Sequence, residues 1–422
     1  MFTDDILKVI YAPGKVFKDI IANPKYLGAL VVLILFISIQ AGFQYTQFSK
    51  TYTEGTSPIV GEFYKYTNAS SGNWQGSSNV TLSNNENDYF NYSVYVPGYG
   101  VIPKIFGNSS LQISSENIAN VSVALGNAFN VDCGPTGFQN LTVIFKQTQP
   151  QIVPQNVKLS LYSLSDVDFY QYDLTSSFSN VSTLAQWNNM TIPIGANAGG
   201  WSATGAPTWS NITALKFDFM FSAASNSTIN IGGLFFRGHY VSITQFDSNA
   251  VIFNILQSSS LQFLVYWLLI SVLIYAMLRA LKSGILWKPI FIAVGFALIV
   301  MVIRAIVNLI ATATLPEVYY PFDLGIGLGY TPYGAIAYSP QAIGMVFAES
   351  QTAFYHIETI TAVFRSITFA TLVVSYVWLG ALCAIILKAL KPEFSLLKRI
   401  AISAVPVGVT IAVLLFLISG VA

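Results

Sequence analysis

The sequence predicts an α-helical polytopic membrane domain of five transmembrane helices that carries an all-β sandwich as an ectodomain. Three observations predict it. One long apolar run follows the first 25 residues, and four more fill the C-terminal part of the chain. Basic residues cluster at alternate ends of those runs. Between the first and second runs lies a long region rich in Ser, Thr and Asn, with short alternating segments. Hydrophobic residues make up 53% of the 422 and charged residues 9%, against roughly 25% charged in an average soluble protein. The net charge of +1 gives no basic stripe for phosphates, which excludes a nucleic-acid partner.

Residues 1–25 read as cytoplasmic amphipathic helices. Thr3 caps "DDILKVIY", with acids in the first turn where the helix dipole favours them. Pro13 interrupts, and "GKVFKDII" then places Val16, Phe17, Ile20 and Ile21 on one face and lysines on the other. That pattern suits helices lying on a membrane surface. The first span is 26–43, near the lower length limit for crossing a bilayer. The others are 258–280, 287–313, 359–387 and 400–421.

Topology follows from the basic residues. Lys8, Lys15, Lys18 and Lys25 precede the first span. Arg279, Lys282 and Lys288 bracket the turn between spans two and three, and Lys388, Lys391, Lys398 and Arg399 the turn between spans four and five. The stretch from Ala305 to His356 has no Lys or Arg. One orientation satisfies all of these: N-terminus cytoplasmic, residues 44–257 extracellular, C-terminus extracellular, in a multi-pass protein of the cell membrane whose first partner is the lipid bilayer. Ten Asn-x-Ser/Thr triplets, at Asn68, Asn79, Asn91, Asn108, Asn120, Asn140, Asn180, Asn189, Asn211 and Asn226, all fall between spans one and two. Their placement, more than their number in an Asn-rich region, agrees with an extracellular segment carrying N-linked glycans.

Residues 44–104 read as a polar extracellular linker with one hairpin, because "SSGNWQGSSNVTLSNNEND" is turn-rich and poor in apolar residues. The sandwich is expected over 105–242. "LTVIFKQ", "VKLSLYSL", "NNMTIPI", "ALKFDFMF" and "TINIGGLFF" alternate or run β-branched and aromatic, separated by turns. Cys133 and Cys383 fall in different compartments, which excludes a disulfide framework and a cysteine metal site.

The run "DFYQYDLT…WNNMTIPIG…GGWSATGAPTWSNITALKFDFMFS…STINIGGLFFRGHY" is similar to the second half of jelly-roll domains related to carbohydrate-binding and galactose-binding-like modules. The resemblance rests on an aromatic strand (Phe169, Tyr170, Tyr172), Trp187, a Gly205-x-Pro207-x-Trp209 turn, and a closing Phe236-Arg237-Gly238. It implies two alternatives for the aromatics. Trp201 and Trp209 flank a turn and suit stacking on sugar rings; the plainer role is that Trp209 and Trp187 plug the sandwich ends. In such a fold Glu116, Asp132, Asp166 and Asp168 are the acids open to calcium, but no Asp-x-Asp-x-Asp-Gly spacing exists, so no metal and no cofactor is expected. His239 lacks a nucleophile partner and no acid pair stands out, so no enzyme activity is expected.

The opening "YAPGKVFKDIIANPKYLGALVVLILF" resembles the start of the Yip1 domain family, through Pro13, Phe17, Ile20 and Pro24 ahead of the first of five spans. The resemblance implies five spans with a cytosolic N-terminus. The departure from the family is the insertion of the whole central region between spans one and two.

Charges inside the spans bear on transport. Arg304 lies about 24 Å along its helix from Lys288 at 1.5 Å per residue, in the outer leaflet, where an arginine calls for a partner; Glu317, Asp323, Glu349 and Glu358 are the candidates. Arg365 lies near the outer interface and snorkels. No Asp or Glu lies deep in a span, which disfavours a proton-coupled carrier. Residues 314–350 are apolar, glycine- and tyrosine-rich and broken by Pro321, Pro332 and Pro340, so they cannot span as a helix and suit an extracellular seat for the sandwich.

The expected function is therefore a cell-surface protein that displays a glycosylated jelly roll for envelope glycan or protein binding. The sparse charge suits an archaeal envelope at acidic pH. The alternative is an accessory subunit that meets other membrane proteins. A transporter and an ectoenzyme are the weaker readings.

Overall fold

The computed structural model describes residues 2–71, 73–96, 100–102, 104–179, 184–246, 248–324 and 348–419. Two short helices come first, α1 (Phe2–Tyr11) and α2 (Pro13–Ala22), then a long helix α3 (Tyr26–Ser49). The chain passes directly into β1 (Thr51–Ser57), followed by β2 (Trp74–Gly76), β3 (Val80–Asn85) and a hairpin of β4 (Val94–Val96) and β5 (Gly100–Ile102). Then come β6 (Ser110–Leu125), β7 (Asn140–Gln149), β8 (Asn156–Ser163), β9 (Phe169–Asp173), the single turn α4 (Thr175–Ser179), β10 (Asn188–Pro193), β11 (Trp201–Thr204) and the 31-residue β12 (Ile212–Ser242). After a turn, α5 (Ile243–Phe246), the chain re-enters helix as α6 (Ser248–Ala280), α7 (Trp287–Ala297) and α8 (Ile299–Ala313), touches the sheet again at β13 (Val318–Tyr320), and ends in α9 (Ala348–Leu390) and α10 (Leu396–Ser419).

The β region is a two-layer antiparallel sandwich built on one ribbon. The two long strands β6 and β12 pair along their lengths, and their register slips at Met220–Ser225 and again at Ser225–Ser227. Such irregularities bend a strand pair, and here they carry it from one layer to the other. The first layer runs β2, β6 (120–125), β12 (212–220), β8, β9, β11. The second runs β3, β6 (110–115), β12 (228–237), β7, β10. Alternation does the rest: Leu215, Phe217, Phe219 and Phe221 point into the core while Lys216, Asp218 and Met220 do not. They meet Val143, Phe145, Leu159 and Ile231 in one cluster.

Among the described residues five helices are long and apolar enough to cross a membrane: Tyr26–Ser49, Ser248–Ala280, Trp287–Ala313, Glu349–Leu390 and Leu396–Leu414. The third, α7 continuing into α8 across Leu298, is the hub, with 72% of its apolar window buried against 28–39% in the others. Glycine lets α7 approach its neighbours: a Cβ on Gly295 would lie 2.7 Å from Ala29 Cβ and 2.8 Å from the Trp267 ring. Trp267 is held there, stacked on Phe291 at 4.4 Å with its Nε1 donating 2.6 Å to the Phe291 carbonyl.

Three expectations change. The faces of α1 and α2 that suited a membrane surface are buried instead beneath the bundle, with Ile6, Val9, Val16, Phe17 and Ile20 in its core. Residues 44–104 are not a linker. Their first residues complete α3, β1 is a sheet strand, β2 and β3 edge the sandwich, and Phe63, Tyr66 and Trp74 are buried. Phe63 and Tyr66 lie in the short "EFYKYT" and Trp74 in "GNWQG", segments too short and polar-flanked to show a strand's alternation. The helices also extend further towards the sandwich than the apolar runs do; α9, at 43 residues, is about 64 Å long. Of the expected seat 314–350, residues 325–347 lie outside those described.

Replacing Gly295 with Val is expected to destabilise the bundle by about 1–3 kcal/mol through overpacking, read as a lower melting temperature of the full chain in detergent.

Candidate functional site

Two chain crossings join sandwich and bundle, and they are hydrogen-bonded to each other. α3 becomes β1 and β12 becomes α6, and β1 pairs with the end of β12 from Tyr52↔Ser242 to Ser57↔Phe236. β13 adds to the other side of β1, parallel, from Thr51↔Val318 to Thr53↔Tyr320. Lys50 sits between them and donates from Nζ to the carbonyls of Ala313 at 2.7 Å and Leu315 at 2.6 Å. A cation there complements the C-terminal end of α8. Ser242 Oγ closes the corner on the Phe48 and Ser49 carbonyls, both at 3.3 Å.

The buried centre of this junction is Arg237. Its Nε donates to Glu54 Oε1 at 2.9 Å and its second terminal nitrogen to Oε2 at 3.0 Å, a two-pronged pair with both side chains nearly inaccessible, 4% and 1% exposed. The first terminal nitrogen reaches Glu349 Oε2 on α9 at 2.8 Å. Glu54 is filled further by the backbone N–H of Gly238 at 2.8 Å and of Phe322 at 2.9 Å. One guanidinium thus ties β12, β1, the segment after β13 and α9. Burial opposes its charge, and the hydrogen bonds and charge of Glu54 outweigh that, so Arg237 is held above its usual pKa. Gly238 has φ +85°, and an added Cβ would meet Asn140 Nδ2 at 2.8 Å, so glycine is required where the chain turns past the pair.

An apolar layer surrounds the pair: Phe63, Phe106 and Phe235 from the sandwich pack with Phe322, Phe354 and Ile357 from the helical side. Phe63 lies 4.8 Å from Phe235, and Phe235 5.3 Å edge-on to Phe322. Asp323 is buried here, accepting from Ser350 and, at 3.3 Å, from the Tyr92 hydroxyl. Burial pushes its pKa up to about 6.

Beside the lock opens a cleft of about 390 Å³. Tyr240, Tyr319, Glu317, Glu349, Asn140 and His356 line it. Tyr319 stacks on Tyr52 at 4.9 Å, stands edge-on to Tyr240 at 5.3 Å, and donates 2.6 Å to Glu317. That bond, then burial, pushes its phenol up to about 12. A second cleft, about 280 Å³, lies inside the helical bundle around Arg304.

The expected site residues fall in several places. Trp209 is 9% exposed, with Tyr170 stacked on it at 3.9 Å and nearly parallel. Trp201 is half-buried on the edge strand, its Nε1 donating 2.8 Å to the Pro193 carbonyl and its ring edge-on to Trp209 at 5.3 Å. A sugar stacked on this rim would have Trp201 available and Trp209 covered. Trp187 packs instead at the junction, edge-on to Phe90 at 6.1 Å.

Glu116, Asp132, Asp166 and Asp168 do not converge, and no metal-holding group occurs among the described residues. Asp168 caps a turn, accepting from Ser165 Oγ at 2.6 Å and the Ala206 N–H at 2.7 Å, bonds that lower its pKa in that order. Cys133 and Cys383 are both buried and free. Of the glycosylation candidates, Asn79, Asn91, Asn108, Asn120, Asn189 and Asn226 are exposed, while Asn68, Asn140 and Asn211 are half-buried. Asn180 lies outside the described residues.

The acids expected to pair with Arg304 are committed elsewhere: Glu349 to Arg237, Glu358 to Arg365 at 3.4 Å, Glu317 to Tyr52 and Tyr319, Asp323 to Ser350 and Tyr92. The junction engages Glu317, Asp323 and Glu349, Glu358 pairs within α9, and no carboxylate among the described residues forms an ion pair with Arg304. Sequence reasoning also passed over Glu54, whose partner lies 183 residues away.

No family model matches the chain, and no curated protein does. Among solved structures it is similar to the family 11 carbohydrate-binding module of Clostridium thermocellum, in complex with a mixed-linked tetrasaccharide, at 9% identity over 39% of this chain and 88% of the module, TM-score 0.23. It is also similar to an exo-β-agarase, at 10% identity over 42% of this chain and 24% of that one, TM-score 0.27. The Endo-D glycoside hydrolase domain of Streptococcus pneumoniae R6 matches at 14% identity and TM-score 0.24 over 39% of this chain, which spans 21% of that chain's length. No site residue is carried over from them.

Replacing Arg237 with Met leaves Glu54 buried without its partner and is expected to cost about 3–5 kcal/mol, measured as a fall in thermal or denaturant stability. Asp323 has a raised folded pKa, so the folded state holds the proton more tightly than an unfolded carboxyl near 3.9. Its contribution to stability therefore rises as pH falls from about 6 towards 4. Asp323→Asn should flatten that part of the profile relative to the parent chain.

Proposed function

We propose that the protein is a multi-pass membrane protein that holds a glycosylated β-sandwich of jelly-roll type rigidly on the outer face of its bundle, where it binds hydroxyl-rich envelope ligands, glycans above all. The helical part is read as a Yip1-like bundle with the sandwich inserted between its first and second spans. The basic turns 281–286 and 391–395 stand at the ends of helices opposite the sandwich, which supports the outward orientation.

The observation that carries the binding reading is the junction cleft. It is concave, walled by Tyr240 and Tyr319, and supplied with the carboxylates of Glu317 and Glu349 and the amide of Asn140. Aromatic walls and planar polar groups are what a saccharide needs, one for its apolar ring face and the other for its hydroxyls. The cleft is large enough for a small ligand. The Trp201 rim is the second, shallower surface.

The test is binding of purified envelope glycans to the full chain in lipid nanodiscs, with Tyr319→Ala and Trp201→Ala as the variants. The proposal expects saturable binding that Tyr319→Ala weakens at least tenfold and Trp201→Ala leaves near the parent value. Loss in Trp201→Ala alone moves the site to the rim. Absence of binding by the intact protein overturns the glycan reading and favours the accessory-subunit one.

A further inference from the structure

We infer that the chamber inside the helical bundle is a receptor for a phosphodiester-type anion, and that Arg304 is its anchoring cation. Gln40 and Gln47 on α3, Gln262 on α6 and Arg304 and Asn308 on α8 line it, with Phe43 and Phe364 among its walls. Its volume of about 280 Å³ is at the small end of ligand sites. Of these polar side chains Asn308 accepts from Thr371 at 3.0 Å and Gln262 reaches the Tyr266 hydroxyl at 3.5 Å, so the group left to explain is the guanidinium, whose charge costs free energy there unless satisfied.

No carboxylate lies within ion-pair distance of Arg304 among the described residues, and its Nε is buried without a hydrogen-bond partner. Its guanidinium meets the Tyr376 hydroxyl, which itself is bonded to the Tyr266 hydroxyl at 2.7 Å. A guanidinium is always charged, and neutral hydroxyls and amides do not offset that charge. An anion in the chamber would. One guanidinium matches one negative charge, and its fork suits two oxygens of a phosphate. The amides of Gln40, Gln47 and Gln262 supply further N–H donors.

The level of the site favours the same ligand. Arg304 lies nine residues before Ala313, the end of α8, or about 14 Å below it. If the helices lie in a bilayer, as the proposed function holds, Arg304 stands about 24 Å from Lys288 across a hydrocarbon core of about 30 Å, in the outer leaflet and a side chain's reach below the outer headgroups. The source of the phosphate is then either a lipid headgroup or the free anion.

The test uses the full chain, delipidated in a neutral detergent, and reads its melting temperature. The probes are dihexanoyl-phosphatidylglycerol, dihexanoylglycerol without the phosphate, and inorganic phosphate. The inference expects the phospholipid to raise the melting temperature of the parent chain and dihexanoylglycerol to leave it unchanged. An equal rise with inorganic phosphate identifies the free anion as the ligand and supports the receptor equally. Arg304→Gln should abolish the response and, without any probe, melt no lower than the parent, since it removes an unpaired charge. Gln40→Leu, which keeps the charge, should weaken the phospholipid response about tenfold in concentration and carries the test if Arg304→Gln fails to fold. No response to either phosphate probe, an undiminished response in both variants, or a lower probe-free melting temperature in a folded Arg304→Gln would overturn the inference. Recovery of the chain in soluble form without detergent would refute the membrane reading instead, leaving the inorganic-phosphate arm standing.

Discussion

The contact between Arg237 and Glu54 is the constraint on which the rest of the molecule depends. It joins the last turn of the sandwich's longest strand to the strand that follows the first long helix. The same two groups engage Glu349 at the start of α9 and the backbone at Phe322. A buried ion pair contributes little to stability by itself, because desolvation offsets the attraction. Its consequence is geometric. With every oxygen and nitrogen of the pair committed, a shift of sandwich against bundle would leave a buried charge unpaired and open the aromatic layer around Phe63, Phe235 and Phe322. The junction cleft exists because the two bodies meet at this fixed angle.

The sequence was informative where structure is local. Strands of the sandwich are visible in "ALKFDFMF" and "TINIGGLFF" because alternation is a property of neighbouring residues. The helices are visible because a span needs an unbroken apolar run. Their extension towards the sandwich was hidden, since Gln44, Gln47 and Ser49 continue α3 in polar letters. The strand Thr51–Ser57 was hidden for a stronger reason: "TYTEGTS" owes its place to pairing with residues 236–242, and nothing within it says so.

The candidate sites follow the same rule. Arg304 stood out in the sequence as a charge in an apolar run, but its surroundings did not, because Gln40, Gln262 and Asn308 come from three separate helices. Its expected partners were reasonable by sign and by their place in the chain after α8. They were wrong by distance: Glu317, Asp323 and Glu349 are engaged at the junction and Glu358 by Arg365 on α9. Trp209 is conspicuous in the sequence as part of a Gly-x-Pro-x-Trp turn, while its stacking under Tyr170 depends on β9, an earlier strand. Glu54 and Tyr319, which make the lock and the cleft, carried no local signal of a site at all.

The central claim is that sandwich and bundle form one rigid body. The most direct measurement is the distance distribution between spin labels at Ser222 on the sandwich and Thr314 at the end of α8, both exposed positions, in a chain whose two native cysteines are buried. The account predicts a single narrow distribution in nanodiscs that broadens when Glu54 is replaced by Gln. A broad distribution in the otherwise unaltered chain would show that the sandwich is only tethered, and would contradict it.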